Sequence, residues 1–185
     1  MFPATDPPSH TDPTVVRADI ADQRADALVN AAGTSLRMGT GVAGVLLHAA
    51  NGPIERDAVA QGPVELGAVV VTDAYDLDAE YVIHAAAMRH TGPHRLATPE
   101  SVREATRNSL EKADELGCAS LVIPLLGCGS GGLHTHEGTA VVCDTIRAHE
   151  PETLRDVRVI GQSDRQVELL ERAVRDADDT TDERN

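Results

Sequence analysis

The sequence predicts a single α/β domain of three layers, in which helices cover both faces of a central sheet. Short apolar runs alternate along the chain with segments of helical periodicity, and several runs are continuously apolar, as strands buried on both faces must be. The chain has 185 residues, 41% of them hydrophobic, which is close to ordinary usage for a soluble globule. A globule of this size buries roughly 70% of the surface that its unfolded chain exposes, enough for one core.

The apolar runs predict strands at residues 15–20, 27–31, 68–72, 81–86, 121–125 and 157–160. Helical periodicity predicts helices at residues 42–51, 54–60, 99–116, 135–149 and 164–176. The longest helix has clear boundaries, because Thr98 and Pro99 form a start signal and Gly117 forms a stop signal. Strands and helices therefore alternate through the middle of the chain, as expected for one α/β domain.

The two ends of the chain differ in composition from its middle. Residues 1–13 hold four prolines and no apolar periodicity, which predicts a flexible N-terminal segment. Residues 177–185 are mostly charged or polar and have nothing to bury, which predicts a frayed acidic tail. The folded domain is therefore expected over residues 14–176.

The charge balance argues against a nucleic acid as a direct partner. Thirty Asp and Glu stand against 16 Lys and Arg, a formal net charge of -14, which repels a phosphate polymer. One Phe, two Tyr and no Trp are too few to stack the bases of a single strand. Lys112 is the single lysine. This acidic, lysine-poor composition is typical of halophilic proteins, the alternative being an acidic protein from a GC-rich genome.

Cysteine and histidine spacing predicts neither a disulfide framework nor a metal site. The sequence has three cysteines, an odd number, and none of them forms a CxxC pair; they are Cys118, Cys128 and Cys143. Disulfide frameworks use an even number of cysteines, and zinc sites built from thiolates use CxxC pairs. His134 and His136 are separated by one residue, not by the i, i+4 spacing that places two ligands on one helical face. Apolar runs fall short of the roughly 20 residues that span a bilayer, and the N-terminus does not resemble a signal peptide. We expect a cytoplasmic protein without membrane contact, cofactor or native metal.

Two glycine-rich segments each follow a predicted strand and precede a predicted helix. They are residues 30–44, NAAGTSLRMGTGVAG, and residues 127–132, GCGSGG. In open α/β sheets ligands lie beyond the carboxyl ends of the strands, where glycines let the backbone come close and amides at a helix start favour an anion. Together the segments predict a binding site for a diphosphate. For each segment taken alone, the alternative is a tight turn. Neither is a Walker loop, and one GxGxxG match at Gly39, Gly41 and Gly44 is weakly specific.

A family resemblance is carried by segments that occur in the order VVRADI, ALVNAAG, MGTGVAGVLLHAANG, GAVVVTDAYDLDAEYVIHAAA and LVIPLLGCGSGG. With these segments the chain resembles the macro domain, the ADP-ribose-binding module of the Appr-1''-p processing family, over roughly residues 14–175. The resemblance implies a mixed central sheet of about six strands between helices. It also implies that the partner is ADP-ribose or a related nucleotide, free or attached to a protein.

The resemblance assigns roles to individual residues. Asp19 matches the family's acceptor for the adenine amino group, a role that suits a carboxylate because it only accepts hydrogen bonds, and Ile20 would pack beside the base. Asn30 either contacts the ligand or braces the strand–loop junction. The first phosphate loop is matched by Gly39, Gly41 and Val42. The second phosphate loop is matched by Gly127, Cys128, Gly129 and Ser130.

Three departures from the family pattern fall around the distal ribose. Gly33 replaces an Asn that contacts this ribose, Ala43 replaces the Asp of one group of hydrolases, and Gly131 replaces an aromatic residue that covers the sugar. Loss of a general base removes a factor of about a hundred to ten thousand in rate. We therefore expect binding with weak or no hydrolysis. The alternatives are a hydrolase of ADP-ribosyl linkages or ADP-ribose phosphoesters, and a degenerate interaction domain without a ligand.

Overall fold

A computed structural model describes residues 11–92 and 96–182, and the side chains within them up to residue 176. The strands are β1 Thr14–Arg17, β2 Ala27–Gly33, β3 Val69–Asp73, β4 Tyr81–Met88, β5 Ser120–Pro124 and β6 Asp156–Gly161. The α-helices are α1 Gly41–Ala50, α2 Ile54–Val59, α3 Pro99–Glu115, α4 Thr135–Ala148 and α5 Asp164–Asp182, and a short 3-10 helix spans Ile20–Asp22. None of the described helices is long and apolar enough to cross a membrane.

The strands form one six-stranded sheet in the order β1-β6-β5-β2-β4-β3. All neighbours are parallel except β3 and β4, which are antiparallel. Helices α1 and α2 pack on one face, and α3, α4 and α5 pack on the other. The prediction of a mixed sheet of six strands inside a three-layer sandwich is therefore confirmed.

Two predicted elements end more than two residues away from their predicted ends. β1 stops at Arg17 and not at residue 20, because the Asp19 side chain accepts a hydrogen bond from the amide of Ala21 at 2.9 Å and starts the 3-10 helix. α5 continues to Asp182, past its predicted end at residue 176. Residues 1–10 of the predicted N-terminal segment and residues 183–185 of the predicted tail lie outside the described residues.

The start of α3 agrees with its sequence signal. Thr98 Oγ1 accepts from the Ser101 amide at 3.1 Å, and Ser101 Oγ accepts from the Thr98 amide at 2.9 Å. This reciprocal capping box satisfies amides that the helix itself leaves without acceptors. Ser101 Oγ also donates to the Ala87 carbonyl at 2.7 Å, and this bond fixes α3 against the end of β4.

The sheet opens between its two central strands. β2 pairs with β4 along its whole length, but it pairs with β5 only at Ala27↔Leu121 and Leu28↔Val122. Since β2 and β5 are parallel, the loops that follow them both leave from the carboxyl end of the strands. The separation beyond Leu28 therefore places the two glycine-rich segments on opposite sides of one opening, as the rule for open α/β sheets expects.

Candidate functional site

A crevice of about 220 Å³ lies between the loop after β2 and the loop after β5. At the volume of liquid water this is room for about seven water molecules, and it is less than the roughly 300–1,000 Å³ of a typical small-molecule pocket. The crevice therefore encloses only part of a nucleotide-sized ligand. The expected site residues that line it are Gly33, Gly39, Gly41, Val42, Ala43, Gly127, Cys128, Gly129, Ser130 and Gly131.

The first wall of the crevice is the N-terminus of α1. Thr40 precedes the helix in an extended conformation, and its side chain does not cap it. The first amide to donate within the helix is that of Gly44, to the Thr40 carbonyl at 3.2 Å. The amides of Gly41, Val42 and Ala43 therefore have no acceptor in the helix. Uncapped amides with the positive end of the helix dipole form a site for an anion.

Buried side chains hold the loop in front of α1. Leu36 is fully buried with a φ of 61°, and its amide donates to the Gly33 carbonyl at 2.9 Å. Met38 is buried as well, and its amide donates to Glu55 Oε2 at 2.6 Å. Arg37, which stands between these two anchors, is exposed and lines the crevice. The loop is thus fixed at the backbone on both sides of its one charged side chain.

The second wall is the loop after β5. Gly127 has a φ of 73°, a left-handed conformation that favours glycine. The Leu133 amide donates to the Gly127 carbonyl at 3.0 Å, and the Gly132 amide donates to the Gly129 carbonyl at 3.1 Å. Within the described part of the chain, the amides of residues 128–131 donate to no acceptor. Successive amides in such a turn form a concave anion site.

The glycines of the site differ in the space around them. A Cβ on Gly131 would lie 2.5 Å from the Gly127 carbonyl oxygen and 2.8 Å from Ala97 Cβ. The loop backbone and Ala97 therefore occupy the space into which a side chain at Gly131 would extend, although Gly131 itself lines the crevice. A Cβ on Gly33 would approach nothing closer than 3.6 Å, and one on Gly129 would meet nothing within 4 Å. Side chains fit at Gly33 and Gly129 but not at Gly131.

Asp19 and Ile20 do not line the enclosed crevice. Asp19 is exposed, and one of its carboxylate oxygens accepts from the amide of Ala21. Ile20 is 2% exposed and packs in the core beneath α1, so its side chain offers a ligand almost no area. The 3-10 helix turns the Ile20 side chain inward, and the packing of Ile20 beside the base stays a prediction.

Asp19 nevertheless lies at the carboxyl end of the parallel strands, which is the end at which the crevice opens. β1 and β6 are parallel, with Arg17 opposite Gly161. Asp19 follows Arg17 by two residues, and Gln162, the residue after Gly161, lines the crevice. The carboxylate therefore belongs to the β1–β6 end of the opening, while the two glycine loops form its β5–β2 end.

Asn30 is fully buried inside β2 and has a structural partner. Its side-chain NH₂ donates to His84 Nδ1 at 3.0 Å, and His84 Nε2 lies 2.9 Å from Thr72 Oγ1. Burial lowers the pKa of His84 from 6.5 to about 4, so the ring is neutral near pH 7. Because Nδ1 accepts, Nε2 carries the proton and donates to Thr72. The structure shows Asn30 in a cross-strand hydrogen bond inside the sheet and not among the residues that line the crevice, and its contact with a ligand stays a prediction.

The described lining holds no group that accepts a proton at neutral pH. Burial and the nearby Glu137 carboxylate raise the pKa of the Cys128 thiol to about 11, and its Sγ lies 3.6 Å from the Leu126 carbonyl oxygen. A protonated thiol is a poor nucleophile. The charged side chain of the lining is Arg37, whose guanidinium donates hydrogen bonds and accepts none. Among the described residues no group of three His, Cys, Asp or Glu is placed to hold a metal ion.

Sequence reasoning missed several residues of the lining. Gln162 and Gln166 lie at the end of β6 and the start of α5, and Gln166 Oε1 accepts from the Gln162 amide at 2.8 Å. The carboxyl-end rule, applied to the strand at 157–160, would have found them. Arg37 lies inside the glycine-rich segment 30–44, where a basic residue next to an expected phosphate loop was an available signal. Thr40, Met88 and Ile160 also line the crevice.

Comparisons with known proteins agree with this geometry. The family model described as the macro domain matches residues 29–142. An uncharacterized protein of Mycobacterium tuberculosis is 36% identical over 166 residues, which are 90% of this chain and 45% of the relative. An uncharacterized protein of Aquifex aeolicus is 35% identical over 160 residues, 86% of this chain and 96% of the relative. The chain thus spans less than half the length of the mycobacterial relative.

Solved structures share the fold. The Oceanobacillus iheyensis macrodomain with ADP matches with a TM-score of 0.79 at 24% identity, over 90% of this chain and 91% of that one. The Trypanosoma brucei macrodomain in complex with ADP-ribose matches with a TM-score of 0.75 at 24% identity, over 86% of this chain and 68% of that one.

Proposed function

Since this chain belongs to the macro domain family, we propose that it binds ADP-ribose or a related adenosine diphosphate compound in the crevice between its two glycine loops. One observation carries the proposal: both walls of the same crevice are lined by residues whose backbone amides donate to no acceptor in the helix or among the other described residues. A diphosphate between these walls accepts hydrogen bonds from α1 on one side and from the loop after β5 on the other. Neutralisation by backbone dipoles suits a chain with a net charge of -14.

The adenosine end of the ligand points toward β1. The second oxygen of the Asp19 carboxylate is exposed at this end. It accepts a hydrogen bond from the exocyclic amine of adenine. The crevice is too small to hold a whole nucleotide, so the base lies on its open side next to Asp19. The Oceanobacillus and Trypanosoma macrodomains, which hold ADP and ADP-ribose, have the same fold, and this likeness supports the proposal.

The domain binds its ligand with weak or no hydrolysis. Gly33 and Ala43 bring no polar side chain to the crevice, and Cys128 is protonated at neutral pH. A water molecule beside the distal ribose therefore has no general base among the described lining residues. Incubation with a mono-ADP-ribosylated protein tests this point, since a binding domain leaves the label in place. Release of the label at an enzymatic rate would contradict it.

Titration calorimetry with ADP-ribose and with AMP in concentrated KCl tests the proposed binding. Wild-type protein is expected to bind ADP-ribose, and Gly129→Val is expected to abolish this binding. Gly129 lines the crevice and has nothing within 4 Å of a built Cβ, so the added side chain enters ligand space without disturbing the fold. Ala60→Val, at an exposed position outside the crevice, is the matched control. A wild-type protein that binds neither compound would contradict the proposal.

Asp19→Ala tests the base end separately. Loss of one charged acceptor is expected to weaken ADP-ribose binding about tenfold or more. Inosine diphosphate, which lacks the exocyclic amine, is expected to bind wild type and Asp19→Ala with similar affinity. An unchanged affinity of Asp19→Ala for ADP-ribose would contradict the role of this carboxylate.

A further inference from the structure

Arg37 is the one charged side chain among the described residues that line the crevice. Its guanidinium forms no ion pair and no hydrogen bond with any other described residue, although most arginines with described side chains pair with a carboxylate or a carbonyl. The nearby Glu55 carboxylate is occupied by the amide of Met38 at 2.6 Å. Among the described residues this cation thus has no partner, at a site lined by residues with anion-binding amides.

The loop backbone that carries Arg37 is held in place on both sides. Leu36 and Met38, on either side of Arg37, are buried to 0% and 2% exposure. Gly62 packs directly on Leu36, since a Cβ on this glycine would lie 2.8 Å from Leu36 Cδ1. The backbone at Arg37 therefore cannot turn without removing two core side chains from their places. A fixed backbone leaves only the side chain of Arg37 to be ordered when a ligand binds, which limits the entropy lost.

The position of Arg37 in the sheet order tells which part of the ligand it meets. From one edge the order runs β1-β6-β5-β2, with Asp19 after β1 and Arg37 after β2. A nucleotide whose base lies at Asp19 runs along this order, so its first phosphate reaches the crevice before its second. Arg37 stands at the far end, beside the second phosphate. The planar guanidinium donates two parallel hydrogen bonds to a phosphate, which a backbone amide cannot do.

We propose that Arg37 is a specificity-determining residue that binds the second phosphate of the ligand and makes the crevice prefer nucleoside diphosphates over monophosphates. This inference rests on the proposed function of the crevice. The glycine loops supply neutral donors for any phosphate, whereas Arg37 supplies the positive charge in a strongly acidic protein. Discrimination between ADP and AMP therefore depends on this side chain.

Arg37→Met tests the proposal, with Arg24→Met as the matched control. Arg24 precedes β2 at the opposite end of this strand, and its side chain is 87% exposed. Both variants change the net charge equally, since each removes one arginine. ADP and AMP are titrated at the lowest KCl concentration at which circular dichroism shows all variants folded. Arg37→Met is expected to bind ADP at least tenfold more weakly than Arg24→Met, with less than about a threefold change for AMP. Arg37→Lys, a point charge without the fork, is expected to lie between them.

The outcomes separate the inference from the proposed function. Wild-type protein that binds neither ADP-ribose nor ADP contradicts the proposed function itself. Wild-type protein that binds both, together with equal ADP affinities of Arg37→Met and Arg24→Met, overturns only the role of Arg37. An equal loss of affinity for ADP and AMP in Arg37→Met overturns the assignment to the second phosphate.

Discussion

The side-chain amide of Asn30 donates a hydrogen bond to Nδ1 of His84 across 3.0 Å, inside the central sheet. The two residues are opposite each other on β2 and β4, and the His84 ring continues to Thr72 on β3. A polar path thus crosses three strands on the face beneath α1 and α2. The path places a neutral histidine in the core and ties the strand that leads to the crevice to its neighbours.

The neutral state of His84 predicts that stability falls in mild acid. The pKa of His84 is about 4 in the folded chain because of burial, against 6.5 ordinarily, so between these values the unfolded chain binds a proton that the folded chain does not. The free energy of unfolding should therefore fall by up to about 1.4 kcal/mol per pH unit as the pH drops from 6.5 to 4. Urea unfolding at several pH values measures this fall in the free energy of unfolding.

His84→Gln is the control for this pH dependence. Glutamine forms hydrogen bonds but does not titrate, so this variant keeps the slope caused by the many carboxylates and loses the slope caused by His84. The difference between the two curves isolates the histidine. Parallel curves for wild type and His84→Gln between pH 4 and 6.5 would show that the folded ring accepts a proton as readily as the unfolded one.

Substitution by alanine should destabilise the protein at one glycine of the second loop and have almost no effect on stability at another. Gly131→Ala is expected to lower the free energy of unfolding by about 1–3 kcal/mol, because the new Cβ would lie 2.5 Å from the Gly127 carbonyl oxygen. Gly129→Ala is expected to change it by less than about 0.5 kcal/mol, because nothing lies within 4 Å. Chemical unfolding of both variants measures the pair. Equal stabilities would mean that the loop is packed differently.

Asp114 is expected to be a large contributor to stability on the far side of the domain. Its carboxylate accepts from the amides of Thr153 and Leu154 at 2.7 and 2.9 Å and bonds His149 Nε2 at 2.6 Å. Asp114→Ala leaves these buried donors without an acceptor, which costs about 2–3 kcal/mol. Glu115→Ala is the control, since the exposed ion pair of Glu115 contributes under about 1 kcal/mol. Thermal unfolding that ranks the two variants alike would contradict this role.

The acidic composition predicts stabilisation by salt. The net charge is -14, so the excess acidic side chains repel one another. KCl screens this repulsion, because it shortens the Debye length from about 10 Å at 0.1 M to about 3 Å at 1 M. The Tm is therefore expected to rise between 0.05 and 1 M KCl, and to rise equally in NaCl, since screening does not depend on the cation. Differential scanning calorimetry measures the Tm, and a flat profile would contradict self-repulsion as a determinant of stability.

Local patterns in the sequence determined the layers and most element boundaries. The predicted strand at 27–31 and the predicted helix at 99–116 agree with β2 Ala27–Gly33 and α3 Pro99–Glu115 within two residues. Such patterns suffice because hydrophobic period, capping residues and glycine positions act over a few neighbouring residues. The end of β1 was predicted too far along the chain, because Asp19 forms a cap that competes with the strand.

The sequence by itself also predicted which loops line the crevice, since glycines after strands mark backbone that a ligand can approach closely. Only the tertiary structure decided that Asn30 pairs with His84, 54 positions away, that the loop backbone leaves no room for a side chain at Gly131, and that Arg37 lines the crevice without a partner among the described residues. These features depend on ångström-scale distances between segments that are remote in the chain. Packing of the whole domain sets such distances, and no local pattern of residues encodes them.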